Sequence, residues 1–145
     1  DLEEAKCAVR ACVENTDCEI ICTMTFEEAG QDVYKSMMGI TPTQMVEALS
    51  DSGISVIGAN CGKGIEDMIG ITREIRSITQ EMPILIHPNA GIPEYKEGET
   101  IYPVTPEEMA GYVDTLIEAG ANIIGGCCGT TPDHIRRIRV TIDNR

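Results

Sequence analysis

Residues 46–62 read VEALSDSGISVIGANCG, and residues 113–129 read VDTLIEAGANIIGGCCG. The two stretches align without a gap at an offset of 67 residues, and Cys61 falls on Cys128. Each opens with the apolar spacing of a helix's last turns, stops at a glycine (Gly53 or Gly120), and runs into a short apolar strand. Each then ends in a glycine-framed cysteine. That is one βα unit handing over to the next, seen twice. Similarity at a spacing of two units fits a βα barrel, whose alternate strands fill equivalent layers.

The flanking sequence continues the pattern. Leu2, Ala5, Ala8, Val9, Cys12 and Val13 predict an opening helix over residues 2–13. Residues 19–26 predict a strand and residues 27–40 a polar loop. Thr41, Pro42 and Gln44 form a capping box that starts the helix ending at Gly53. A strand follows at 54–59, and Ile65, Met68, Ile69, Thr72, Ile75 and Ile78 mark the next helix. Residues 83–87 predict a third strand and 88–104 a long loop rich in Gly and Pro. Thr105, Pro106 and Glu108 open one helix that runs to Gly120. A fourth strand lies at 121–125, and Thr131 with Pro132 caps a last helix carrying Ile135, Ile138 and Ile142. The expected fold is α/β, built of parallel βα units with continuous buried-type strands, and it amounts to four units of a barrel that needs eight. Residues 1–145 then belong to a single domain, about half of one barrel, with no linker or sign of a second domain. An open doubly wound sheet with a nucleotide site is the weaker alternative, since no GxGxxG or P-loop pattern is present.

Composition narrows the function. The 145 residues are 42% apolar with a net charge of −13, which is globular in balance and unsuited to nucleic acid or an anionic membrane surface. With no Trp and one Phe, base-stacking platforms and aromatic cages are excluded. The opening Asp1-Leu2-Glu3-Glu4 predicts no secretory signal, and no apolar run has spanning length. The expected compartment is therefore the reducing cytoplasm, with free thiols in place of a disulfide framework.

Seven cysteines then need explaining. Cys61 closes the second predicted strand within Gly58-Ala59-Asn60-Cys61-Gly62. Cys127 and Cys128 follow the fourth within Gly125-Gly126-Cys127-Cys128-Gly129. All three sit at the carboxyl ends of parallel strands, where βα folds build their sites. Adjacent residues of a regular strand point to opposite faces, but the flanking glycines permit the bend that brings both sulfurs to one side. Three thiolates with an open fourth position describe a catalytic zinc centre, since a structural one usually has four protein ligands. Such a centre favours an incoming thiol in its deprotonated form. Cys7, Cys12, Cys18 and Cys22 read as small packing hydrophobes.

Asn60-Cys61-Gly62, Pro88-Asn89-Ala90-Gly91 and Gly125-Gly126-Cys127-Cys128-Gly129-Thr130-Thr131-Pro132 resemble the zinc motifs of the homocysteine S-methyltransferase family, most nearly its cobalamin-dependent branch. The loop from Gly91-Ile92-Pro93 through Gly98, Tyr102 and Pro103 adds to the resemblance. The resemblance implies a TIM-type (β/α)8 barrel of which this chain is the C-terminal half. It implies that Cys61, Cys127 and Cys128 bind Zn2+ and are the catalytic ligands. Homocysteine sulfur would take the open position and accept a methyl group, giving methionine. Asn60 and Asn89 are expected to bind substrate, Asn89 near the metal. The methyl donor implied is methylcobalamin on a separate domain or corrinoid protein. The family's N-terminal acidic and glycine-rich loop has no counterpart here. Its acidic residue at the end of strand four is also absent.

The alternative is a non-catalytic zinc-binding half-barrel. It would need the missing N-terminal half, or a second copy of itself, to cover its open edges. Among the other residues, His87 reads as a strand-end imidazole in a polar mouth or a base near the metal, and His134 as solvated. Tyr102 either shapes the pocket or packs on the loop. The acidic stretch 94–99 is a solvated loop or a docking surface for a methyl-donor domain. The methionines read as core filler, and Arg136, Arg137 and Arg139 as the coat of an exposed helix.

Overall fold

The computed structural model describes residues 1–145. In chain order the elements are α1 (Leu2–Asn15), β1 (Ile21–Met24), β2 (Glu27–Gly30), β3 (Val33–Lys35), α2 (Pro42–Leu49), β4 (Val56–Cys61), α3 (Ile65–Ile78) and β5 (Ile84–Pro88). They continue with β6 (Glu94–Lys96), β7 (Glu99–Ile101), α4 (Pro106–Gly111), α5 (Val113–Ala119), β8 (Ile123–Ile124) and α6 (Pro132–Asp143). The capping boxes place the helix starts as expected: the side chains of Thr41 and Thr105 accept from Gln44 and Glu108, with Pro at the first turn of each helix.

The main sheet is parallel, in the order β1-β4-β5-β8. Every strand lies beside the one before it in the chain, and the order never reverses. A doubly wound sheet reverses at its switch point. This sheet therefore forms an arc of a TIM-type barrel, and the open-sheet alternative falls. Successive helices pack side by side along the arc, α1 on α2, α2 on α3, α3 on α5, and both α4 and α5 on α6.

Period-two alternation separates the two faces of the sheet. Ile57, Ala59, Ile84 and Ile86 are fully buried against Met45, Leu49, Met68, Ile71, Ile75, Met109 and Leu116 of the helices. The other face carries Ile21 and Ile123, respectively 53% and 41% exposed. That is the face a closed barrel turns inward. Backbones approach closely at its centre. A Cβ on Gly58 would stand 1.8 Å from the Leu85 carbonyl oxygen, so only glycine fits there.

The amino edge of the sheet is tied down by Arg76. Its guanidinium donates to the carbonyls of Thr79, Gln80, Met82 and Gly120 and to Asn122 Oδ1, at 2.7 to 3.1 Å. Asn122 Oδ1 also accepts from the Ile84 N–H, so one cluster fixes the ends of α3 and α5 and the start of β5.

Four expectations need correction. First, the two predicted loops each hold a small antiparallel hairpin, β2–β3 and β6–β7. The second turns on Glu97 and Gly98, both at positive φ, as a two-residue hairpin turn requires. Second, the helix expected over residues 106–119 is two, because the Tyr112 N–H tightens onto the carbonyls of Met109 and Ala110. Third, Cys7, Cys12 and Cys18 are exposed. The expected apolar face of α1 buries only Val9 and half-buries Leu2 and Ala5, while Ala8, Cys12 and Val13 stand exposed. Met37 and Met38 are likewise exposed, although Met24, Met45, Met68 and Met109 fill the core. Fourth, His134 is buried, for reasons given below. No helix is long and apolar enough to cross a membrane.

Candidate metal centre

The carboxyl ends of β4 and β8 bring Cys61, Cys127 and Cys128 together. Their sulfurs all lie within 4.8 Å of one another. Cys61 Sγ is 2.9 Å from Cys127 Sγ, and Cys127 Sγ is 3.9 Å from Cys128 Sγ. Three thiolates at a zinc–sulfur distance of about 2.3 Å on tetrahedral corners stand roughly 3.8 Å apart. The donor set fits zinc, with Cys127 and Cys128 at that spacing and Cys61 closer to Cys127 than a bound ion would hold it, and these three residues would hold the ion. Cys7, Cys12, Cys18 and Cys22 do not join them.

The backbone is bent to achieve this. Cys61 sits at φ 61°, a left-handed conformation that side chains other than glycine adopt at a cost. The glycines around Cys127 and Cys128 are sockets. A Cβ on Gly125 would strike the His87 ring at 2.6 Å. One on Gly126 would strike the Thr130 side chain at 2.3 Å, and one on Gly129 the base of the Tyr102 ring at 2.1 Å.

One short segment, Pro88-Asn89-Ala90, bonds the backbone of all three cysteines. The Cys127 N–H donates to the Pro88 carbonyl, and the Asn89 N–H donates to the Cys61 carbonyl. The Ala90 N–H donates to the Cys128 carbonyl at 2.9 Å. Asn89 adds its side chain: Oδ1 accepts from the Cys128 N–H at 3.0 Å, and Nδ2 donates to the Gly62 carbonyl at 2.9 Å. Asn89 thus clamps the two cysteine turns to each other. Asn60 Nδ2 donates to Cys61 Sγ at 3.2 Å and to Thr25 Oγ1 at 3.1 Å, so it reaches the centre directly.

These contacts set the sulfurs apart electrostatically. Burial works to raise the Cys61 thiol. Hydrogen bonds with Cys127, Asn60, Cys128 and Thr25 outweigh it and hold Cys61 below the ordinary thiol range. Cys127 is pushed up to about 11, first by burial and then by its bonds to Cys61 and Cys128. His87 is half-buried beside Gly125, and burial lowers its pKa by disfavouring the charged imidazolium. Tyr102 lies against Gly129, where desolvation and then the neighbouring Cys128 sulfur raise its phenol.

Sequence reading missed Thr25, Thr130 and His134. Thr130 Oγ1 is buried without a partner beside the cysteine turn. His134 occupies the capping-box position of α6, where Glu or Gln is the usual occupant, so its spacing from Thr131 is the signal that marks it.

A sequence profile described as homocysteine S-methyltransferase matches residues 1–142 of the chain. The chain belongs to the homocysteine S-methyltransferase family. Within that family it is 34% identical over 120 residues, 82% of its length, to a methionine synthase of Mycobacterium leprae. It is also 34% identical over 122 residues, 83% of its length, to the methionine synthase of Mycobacterium tuberculosis. The chain spans 10% of the length of each. The homocysteine methyltransferase MmuM from Escherichia coli, solved in a metallated form, superposes with a TM-score of 0.75 at 20% identity. That match covers 97% of this chain and 41% of the MmuM chain, which accords with a partial barrel.

The glycine sockets yield a direct test. Gly129→Ala combines a positive φ of 78° with a collision at the Tyr102 ring. It is expected to displace Cys128 and weaken zinc binding about 10- to 100-fold. Competition against a chromogenic chelator measures this, and unaltered affinity would show that the socket does not position the cysteine.

Proposed function

We propose that this chain binds Zn2+ through Cys61, Cys127 and Cys128 and binds and activates homocysteine for methyl transfer, giving methionine. The observation that carries the reading is the meeting of three sulfurs, from two distant motifs, at the carboxyl edge of the sheet. Zinc bound there supplies a Lewis acid that lowers the pKa of a thiol in its fourth position. The chain's own residues do the rest. The strained Cys61 and the Pro88-Asn89-Ala90 loop hold the sulfurs on one side. Asn60 and Asn89 border the centre and are the proposed substrate-binding groups. A groove of about 990 Å³ runs from Asn60 past Thr25 to Glu27, Glu28 and Lys35. Charges of both signs suit the zwitterionic end of an amino acid. The deprotonated substrate sulfur takes the methyl group, and the donor keeps the electrons of the broken bond.

The donor is proposed to be methylcobalamin on a separate corrinoid domain or protein, in keeping with the resemblance to the cobalamin-dependent branch and the likeness to methionine synthases. The seven free cysteines suit a reducing cytoplasm. Homocysteine titration of the zinc-loaded chain, followed by X-ray absorption at the metal, tests the reading. One added sulfur neighbour at saturation is the expected result. Unchanged coordination at saturating homocysteine refutes activation by this chain alone.

A second reading is favoured by the exposed sheet edges and the uncovered face of α1. The chain would be a zinc-binding half-barrel that is complete only beside a partner, either the missing N-terminal half or a second copy. Full zinc occupancy without homocysteine binding, restored when the partner half is added, distinguishes it.

A further inference from the structure

We propose that His134 is a positioning residue for the sulfur centre, acting through the backbone of Val104 on the 88–90 segment that braces the cysteines. The inference rests on the reading of the three sulfurs as a metal centre. His134 lies in the first turn of α6 and is 5% exposed. Its Nδ1 accepts from the Thr131 N–H at 3.1 Å, which places the ring proton on Nε2. That Nε2–H donates to the Val104 carbonyl at 2.9 Å.

The chain of bonds continues without a break. The Val104 N–H donates to the Ala90 carbonyl at 3.1 Å, and the Ala90 N–H donates to the Cys128 carbonyl at 2.9 Å. The packing follows the same path. A Cβ on Gly91 would meet the Val104 and Pro103 side chains at 2.8 and 3.1 Å, so residues 103 and 104 lie tight along the loop. Tyr102, two residues before Val104, fills the Gly129 socket beside Cys128.

The choice of residue at this capping box points the same way. Gln44 and Glu108 close the other two boxes, each with a side chain whose polar tip serves only the local turn or its cap. At α6 an imidazole stands in that place, with one nitrogen closing the turn and the opposite nitrogen reaching 30 residues back to Val104. A cap alone needs one acceptor. The second nitrogen turns the cap into a strap.

Two substitutions separate these jobs. His134→Asn puts an amide near the Nδ1 position and keeps the cap, but falls short of Val104. His134→Gln extends an amide to the Nε2 position. Zinc affinity by chelator competition, and the thiolate-to-metal absorption of the cobalt(II)-substituted chain, are the readouts. His134→Asn is expected to bind zinc about 10- to 100-fold more weakly, with an altered cobalt spectrum, and His134→Gln to recover most of the loss. His134→Phe, which keeps the bulk and loses both nitrogens, carries the same expected weakening if His134→Asn does not fold. Wild-type affinity in His134→Asn or His134→Phe overturns the proposal. So does a His134→Gln variant as weak as His134→Asn, because reach to Val104 would then be irrelevant. A wild-type chain that takes up no zinc sinks the metal reading and the strap together. Zinc uptake by the wild type with no effect of either variant sinks the strap alone.

Discussion

Replacing Cys61 with alanine is expected to leave the purified chain with far less than one equivalent of zinc. Apparent binding energies for structural zinc are about 10–16 kcal/mol, so losing one of three anionic ligands should forfeit on the order of 4 kcal/mol, roughly 10³-fold in affinity. The two cysteines left behind are sequence neighbours on one turn, and a vicinal pair cannot close a tetrahedral site. Cys7→Ala and Cys12→Ala serve as controls, since those thiols are exposed on α1 and lie outside the cluster. Metal analysis after dialysis reads the result, and stoichiometric zinc in Cys61→Ala would dismantle the three-sulfur centre. Cys61→Gly adds a separation of fold from chemistry. Glycine tolerates φ 61° without the roughly 1–2 kcal/mol penalty of a left-handed side chain. Its metal-free form should therefore be at least as stable as metal-free wild type while binding zinc as poorly as Cys61→Ala.

The largest loss of stability is expected from Gly58→Ala. The added methyl would lie 1.8 Å from the Leu85 carbonyl oxygen and 2.8 Å from its carbon, in a pair of strands at the centre of the sheet. No side-chain rotation relieves a collision with backbone, so β4 and β5 must part. Overpacking in a core costs about 1–3 kcal/mol and more when the backbone must move, against a total stability of about 5–15 kcal/mol. We expect a loss of at least about 3 kcal/mol in urea unfolding, with zinc binding impaired because Cys61 ends the displaced strand. Gly111→Ala is the matching control. Its methyl meets nothing within 4 Å, and it should change stability by less than about 1 kcal/mol. Equal stability of Gly58→Ala and wild type would mean that the two strands do not pack as described.

The parts of this fold that were legible in the sequence are those encoded locally. Thr41 with Gln44, Thr105 with Glu108, and the proline after each threonine mark helix starts that depend on no distant contact. The repeat of 46–62 in 113–129 showed the βα period and placed the cysteines at strand ends, where the structure has them. What stayed hidden depends on partners far along the chain. Periodicity announced an apolar face on α1 but could not say whether anything covers it, and three of its neighbouring cysteines proved exposed. The hairpins were missed because their strands are three or four residues long and mostly charged or polar, so they carry no apolar alternation. His134 reads as solvated from sequence alone because its contact, Val104, lies 30 residues away, outside α6. The motif places Asn89 beside the cysteines, and in the structure its side chain bonds the Cys128 N–H and the Gly62 carbonyl. Its service as a clamp between Gly62 and Cys128 follows only from the fold.

The loop of residues 88–90 touches the backbone of Cys61, Cys127 and Cys128 alike. The three sulfurs are therefore legs of one tripod. A substitution that shifts that loop therefore reaches the backbone of all three cysteines at once, although they come from two motifs 66 residues apart.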